Sequence, residues 1–323
     1  MQNTINIENS VINVYVGVVA RQEHYNRVFE KIQENKENYD KISVLTEQKL
    51  KTKECTDILS NYYNNKEQYI KATRIKECGN YLQLKHYIDL DYSSVSKMNL
   101  CRERLCLNCA YVSARENARY LIKATEGLQQ RFLTFTVQNV QGERLRVTLD
   151  NMRKAVKRMF RALKIKDYYE KYEITYNDKT KTFHPHIHIL TPIHNYTFKK
   201  GASNKLWSKY YNEVSGADFS YLSTENKAVD DNIKSCFEMS KYITKPTSIT
   251  KDTIHIFDTQ LKGVHLVQAH GIYRTLLKSA KEYFAQNKEE LDTLLLDYDF
   301  ELIDYIFNGQ NYIELNSNEG ETL

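Results

Sequence analysis

Three histidines stand at alternate positions in the apolar run Phe183-His184-Pro185-His186-Ile187-His188-Ile189-Leu190. Side chains repeat every two residues along a strand, so the three imidazoles project from one face and form a row of metal ligands. Just upstream, Tyr172-Glu173-Ile174-Thr175-Tyr176-Asn177 reads as a second strand, and Asp178 to Thr182 supplies turn residues. Together they predict a β-hairpin in which Glu173 falls opposite residues 184 to 186, with its carboxylate in reach of the histidine face. Imidazoles with one carboxylate suit Mn²⁺ or Mg²⁺ with open positions for phosphate oxygens, rather than a closed structural zinc. His186 and His188 are the expected pair; His184 and Glu173 compete for the third place.

A second set of ligands is built from sulfur. Cys101, Cys106 and Cys109 follow a C-x4-C-x2-C pattern, whose short spacer presents both sulfurs of the knuckle to one tetrahedral ion. The fourth ligand is Cys78, with His86 as runner-up, while Cys55 and Cys236 fall outside the pattern. Such a site is a closed, structural Zn²⁺ site. A third stretch, Cys236 to Pro246, is helix-compatible up to its proline. On that helix Glu238 and Tyr242 would be neighbours at i and i+4, with Lys241 and Lys245 beside them.

These groups need elements to hold them. Arg131 to Val140 alternates and is rich in β-formers, which predicts a strand. Ser113 to Gln129 and Thr148 to Lys164 predict helices. The first carries Arg115, Arg119 and Lys123 as one basic stripe. The second buries Leu149, Met152, Val156, Phe160 and Leu163 and presents Arg153, Lys154, Lys157, Arg158 and Arg161 on its other side, with Thr148 or Asp150 expected as its cap. Near the N-terminus, Arg21 to Lys36, Ile42 to Lys51 and Cys55 to Ile70 predict charged helices with no catalytic signal.

Charge narrows the class of partner. The net +5 conceals an asymmetry, for residues from Glu282 onward hold eleven acids against the single base Lys288. The remaining body carries a large excess of bases, as needed to neutralise phosphates. A chain of 323 residues with 41% hydrophobic content can bury a sizeable core. It contains neither an 18-residue apolar run nor a signal-peptide pattern, so a cytoplasmic address without membrane contact is expected, and its six cysteines read as ligands rather than disulfides.

The strand Phe132 to Val137, the His-Ile-His row after Glu173, and the Glu238/Tyr242/Lys245 stretch occur in the order found in rolling-circle replication initiator (Rep) proteins of small Gram-positive plasmids, within the HUH endonuclease superfamily. The chain resembles that family from about Cys78 to about Leu277. The resemblance includes Cys78-Gly79-Asn80, the Cys101/Cys106/Cys109 cluster and a helix entry at Gly271. It departs from the family at Leu107, where Pro is usual, and at Tyr111-Val112, where Trp-Arg is usual. The resemblance implies an α+β fold: a central five-stranded antiparallel sheet of the HUH endonuclease type, flanking helices and a Cys-rich zinc-binding element. The expected divisions are a helical accessory region (1–75), the Cys-rich element with its basic helix (76–130), the endonuclease core (131–281) and an acidic tail (282–323).

The same resemblance implies a reaction. Tyr242 would attack a phosphodiester, leaving a 3′-hydroxyl primer and a 5′-phosphotyrosyl link; Glu238 would activate water at termination, and Lys245 or Lys241 would hold phosphate. The DNA contacts expected are Arg115, Arg119, Lys157, Arg158 and Lys241. Partners implied are plasmid double-strand origin DNA, single-stranded at the nick, and a host replicative or PcrA-type helicase, with a homodimer admitted. A mobilisation relaxase shares the chemistry but usually carries its tyrosine before the histidines. A non-catalytic zinc-dependent DNA-binding regulator would leave the histidine row and Glu173 without a role.

Overall fold

Strand-forming and amphipathic segments alternate along the chain, and a computed structural model shows how they assemble. It describes residues 23–24, 26–32, 42–192, 202–241 and 244–315. Helices α1 (Ile42–Asn64) and α2 (Tyr69–Lys76) lead into a strand pair, β1 (Tyr81–Tyr87) and β2 (Tyr92–Met98). Helix α3 (Leu107–Ala124) and strand β3 (Gln130–Thr136) follow, then α4 (Leu145–Ala162) and the hairpin β4 (Tyr168–Asn177) and β5 (Thr182–Pro192). The chain continues through α5 (Ala202–Ser215), β6 (Thr224–Ala228), α6 (Asn232–Ser240), α7 (Ile254–Gln260), β7 (Val267–His270) and α8 (Ile272–Leu294). It closes with β8 (Phe300–Phe307) and β9 (Tyr312–Glu314).

The architecture is α+β with two antiparallel sheets. The larger has five strands in the order β6-β3-β5-β4-β7, which puts the histidine strand β5 at its centre; the smaller has the order β2-β1-β8-β9. One face of the large sheet, with Leu133, Phe135, Tyr172, Ile187 and Ile189, packs on Leu149, Met152, Val156 and Phe160 of α4, Trp207 of α5 and Phe257 of α7. Trp207 is fully buried and its indole N–H donates to the Thr136 carbonyl at 2.7 Å. Truncating it to alanine removes a packed ring and a buried bond, a loss of about 3–5 kcal/mol. On the opposite face Phe132, Tyr169 and Leu190 meet Leu121 of α3, Cys236 and Met239 of α6 and Tyr273 of α8.

Several elements differ from their sequence-based outlines. The helices expected at 42–51 and 55–70 are one continuous α1 through residue 64, since Lys51 to Glu54 contains no breaker and Thr52 and Cys55 are buried along its inner side. Helix α3 starts at Leu107, six residues earlier than expected, because Cys106 already turns the chain into it. Helix α4 starts at Leu145, so Thr148 is a buried interior residue and neither it nor Asp150 is a cap. The helix expected to reach Pro246 stops at Ser240.

The acidic segment is a further difference. Residues 282–294 complete α8, and β8 pairs with β1 along its whole length, from Tyr81↔Ile306 to Tyr87↔Phe300. Residues 282–315 are therefore built into the fold rather than trailing from it. Among the described residues no helix is long and apolar enough to cross a membrane.

Candidate functional site

Register on the central sheet decides which histidines meet which carboxylate. Strands β4 and β5 are joined by a four-residue connection in which Asn177 Oδ1 accepts the amides of Lys179 and Thr180, and Lys181 takes a positive φ of 52°. That turn pairs Glu173 with His186 and Lys171 with His188, so all four side chains share one face. His188 Nε2 lies 3.3 Å from Glu173 Oε2, and His186 Nε2 lies 3.7 Å from Glu173 Oε1. These three residues offer ligand atoms that all lie within 4.8 Å of one another. His184, paired with Thr175, sits one step along the strand with its ring 5.4 Å from that of His186, and is not part of the set.

The electrostatics favour a cation. Burial alone would raise the Glu173 pKa, yet hydrogen bonds from His186 and His188 and the charge of Lys171 hold it well below the usual carboxylate range. Burial lowers His188, against the pull of Glu173, and lowers His184, with His186 adding to the effect. The group is therefore an ionised carboxylate beside His188, which burial biases toward the neutral, ligating form. His188 Nδ1 lies 3.2 Å from Thr134 Oγ1 on β3. With an ion bound, Nδ1–H would donate to Thr134 and leave the Nε2 lone pair for the metal.

Two residues that motif reasoning missed complete the site. Lys171 is fully buried, with Nζ 3.9 Å from Glu173 Oε2 and donating to the Glu238 carbonyl at 3.0 Å. Burial pushes its pKa down to about 8 against the opposing charges of Glu173 and Glu238. Its alternation with Glu173 along β4 was the available signal, as was that of Thr134 within Leu133-Thr134-Phe135-Thr136.

Helix α6 brings the remaining candidates near. Asp231 caps its start by accepting the Lys234 amide at 2.9 Å, and Glu238 in its last turn is ion-paired with Lys241. Tyr242 lies outside the described residues. Two residues later Thr244 forms a backbone bridge with Ile174, the neighbour of Glu173. Lys245 is exposed and its carbonyl accepts the Ser248 amide at 2.9 Å. The helix that carries Glu238 thus ends at Ser240, before Tyr242.

The cysteines converge elsewhere. Cys78 stands 3.5 Å from Cys109 and 3.6 Å from Cys106, and Cys101 stands 3.6 Å from Cys109, measured between sulfurs. A tetrahedral ion with zinc–sulfur bonds of the usual length holds its sulfurs about 3.8 Å apart, far beyond a disulfide of about 2.05 Å. All four cysteines are buried, and the Cys101 and Arg102 amides donate to Cys78 and Cys109 sulfurs at 3.3 and 3.2 Å. The set fits a closed, four-sulfur metal site such as zinc. His86, the alternative fourth ligand, instead bonds Ser93 on β2 at 2.9 Å. Gly79 has a φ of +72° and lies so near Asn108 that an added Cβ would stand 2.4 Å from its Nδ2. Buried Lys49 donates to the Cys78 carbonyl, beside the four sulfurs.

The expected DNA contacts divide into two groups. Arg115 lies over the Tyr111 ring and Arg119 over Phe284, both between α3 and its surroundings. Lys157 and Arg158 are exposed on α4.

Residues 92–311, more than half of the chain, match a family model described as replication protein. The match passes the limit near Leu277 expected from the motifs and takes in β8. Among similar curated proteins, a Protein rep of Bacillus amyloliquefaciens is 24% identical over 311 residues, covering 81% of this chain and 92% of its own. A Protein rep of Staphylococcus aureus is 30% identical over 184 residues (53% and 80%), and one of Lentilactobacillus hilgardii is 27% identical over 259 (71% and 79%). No solved structure matches.

Proposed function

We propose, because this chain belongs to the replication-protein (Rep) family of rolling-circle plasmids, that it initiates replication by nicking one strand of its origin in a metal-dependent transesterification of the HUH type. The observation that carries this reading is the Glu173–His186–His188 set on the middle strands of a five-stranded antiparallel sheet. Two imidazoles and one carboxylate would hold a divalent cation, which would supply charge neutralisation at a scissile phosphate. Thr134 orients His188, and Lys171 fixes the end of α6 against the same face.

Tyr242 is the proposed nucleophile. The chain around it is tied to β4 on both sides, by Lys171 to the Glu238 carbonyl and by the Thr244 bridge to Ile174. Its phenolic oxygen would form a bond to phosphorus as the bond to the 3′-oxygen breaks, and that oxygen leaves with a proton as the 3′-hydroxyl primer. The phosphotyrosyl ester keeps the linkage for a later transfer. Glu238, half-exposed and ion-paired with Lys241, is the proposed base for water at termination; Lys245, Lys241 and His184 are proposed phosphate contacts.

The test is incubation with supercoiled plasmid carrying the origin in Mn²⁺ or Mg²⁺, followed by detection of a covalent protein–DNA adduct. Adduct formation by wild type and its loss in Tyr242→Phe support the reading; an adduct that survives in Tyr242→Phe refutes the nucleophile. Glu238→Ala is expected to nick at near wild-type rate and to accumulate unhydrolysed adduct.

A further inference from the structure

Outside the histidine face, a cavity of about 870 Å³ opens where the end of α4, the start of β4 and the start of α8 meet. Lys157, Arg161, Lys164, Lys166 and Arg274 line it, and no acidic residue does. Several bases elsewhere on the surface are paired, Lys66 with Asp258, Lys71 and Arg74 with Glu103, and Lys181 with Asp178. Among the described residues, Lys157, Arg161, Lys164 and Lys166 have no such partner. Asp167, beside the cavity-lining Gly271, accepts the Ile272 amide of α8 at 2.8 Å, and Glu170 is fully buried against His270. Converging cations without counter-charge repel one another, and an anion relieves that repulsion.

The backbone at the cavity gives a second, independent sign. Helix α4 ends in a Schellman turn, with the Ile165 amide bonded to the Phe160 carbonyl at 2.8 Å. The turn requires a left-handed residue after the helix, where glycine is favoured; here it is Lys164, at a φ of 58°. The turn thereby places Lys164 at the mouth of the basic cavity, with Lys166 just beyond it.

The location and lining identify the ligand. Tyr168 on the cavity wall is five residues before Glu173 on β4, about 17 Å along the strand, and the odd offset puts it on the opposite sheet face. DNA held here is therefore not the segment at the metal ligands. Tyr168 is buried and stacked on His270 with ring centroids 4.1 Å apart, and Phe160 is buried, so neither ring stands free as a platform for an unpaired base. The exposed face of α4 extends the charge from Lys154 through Arg161 to Lys164, about 15 Å at helical rise. Along that length a duplex offers a phosphate charge about every 1.7 Å. We propose that the cavity seats backbone phosphates of duplex DNA flanking the nick, an inference that rests on the reading of this protein as an origin nickase.

The experiment compares wild type with Arg161→Gln/Lys164→Asn/Lys166→Gln, asparagine being chosen because it tolerates the left-handed position, and with a control carrying Lys97→Gln/Lys251→Gln/Lys262→Gln. Each is assayed on a single-stranded oligonucleotide bearing the nick site and on the same strand flanked by origin duplex, across a salt series. The cavity variant is expected to nick the single strand within twofold of wild type. It should bind the duplex-flanked DNA at least tenfold more weakly, with a log–log salt slope shallower by about 3, since each phosphate no longer neutralised removes about 0.9; the control stays near wild type. Unchanged duplex affinity and slope overturn the proposal, as does an equal loss on both substrates, which assigns the cavity to single-stranded DNA. Displacement of duplex by micromolar deoxyadenosine monophosphate or inorganic phosphate also overturns it, in favour of a free-nucleotide site. If wild type nicks neither substrate, the nickase reading fails, while the duplex-affinity comparison still decides whether the cavity binds DNA.

Discussion

Replacing Lys171 with methionine is expected to make the metal-free protein more stable and less active. In the fold Lys171 keeps its proton only up to about pH 8, against 10.5 ordinarily, because burial penalises the ammonium more than Glu173 and Glu238 favour it. That gap corresponds to about 3 kcal/mol against the charged form in the folded state. Below pH 8 both folded and unfolded chains carry the proton and the penalty is borne in full. Between about pH 8 and 10.5 the unfolded chain binds more protons than the folded one, so the Lys171 contribution to stability rises through that window. Methionine has a similar length and no charge to bury, but it forfeits the bond to the Glu238 carbonyl, worth about 1 kcal/mol. The expected balance at pH 7 is a gain of about 2 kcal/mol, shrinking and changing sign as pH approaches 10.5. Urea denaturation of both proteins at pH 7 and 10, without added Mn²⁺, measures it. Nicking should fall at least 100-fold while Mn²⁺ affinity holds or rises, since a cation 3.9 Å from Glu173 has gone. A variant destabilised equally at both pH values would refute the argument that Lys171 is kept at a cost to stability.

Cys106→Ser removes one of four converging sulfurs and should eliminate bound zinc by elemental analysis, lowering stability by about 4 kcal/mol or more in denaturant; retention of a full equivalent of zinc would contradict the four-sulfur site. Thr134→Val deletes the partner of His188 Nδ1 and is expected to weaken Mn²⁺ binding about 10–100-fold by calorimetry. An unchanged affinity would show that the bond does not orient the ring. With His188 lowered by burial and Glu173 held ionised, Mn²⁺ affinity should stay level as pH falls from 8 toward about 6.5, then drop as His188 takes up a proton. A steep loss already above pH 7 would mean that His188 is more basic in the fold than its burial allows.

The ligand sets were legible because they depend on local periodicity. Alternation put His186 and His188 on one face, and a short hairpin leaves few registers, so Glu173 could be placed near them from the turn alone. The Cys101–Cys109 spacing is likewise local, whereas Cys78, more than twenty residues away, could be ranked above His86 but not located. What stayed hidden depends on pairing between distant segments. Nothing in the acidic run 282–315 announces that β8 will close a second sheet on β1, more than 200 residues earlier, and its charge suggested solvent instead. The basic cavity was invisible for the same reason: Lys157 and Arg274 come from helices that meet only because β4 pairs with β7.

The end of α6 shows how a buried side chain can overrule a helical pattern. Glu238 and Tyr242 have helical spacing, and a continuing helix would bond the Tyr242 amide to the Glu238 carbonyl. That carbonyl accepts Lys171 Nζ, reaching over from β4. An ammonium group at the last turn satisfies an orphan carbonyl and suits the negative end of the helix dipole, so Lys171 acts as a C-terminal cap supplied from the sheet. Lys241 then turns to an extended ψ of 172°, Thr244 bridges Ile174, and Pro246 disfavours helix at the residue before it. Lys171→Met should then disturb nicking through the path of the chain after Ser240 while leaving the ligand set of Glu173, His186 and His188 able to bind metal. A matching loss of metal binding in that variant would place Lys171 in the ligand sphere rather than at the helix end.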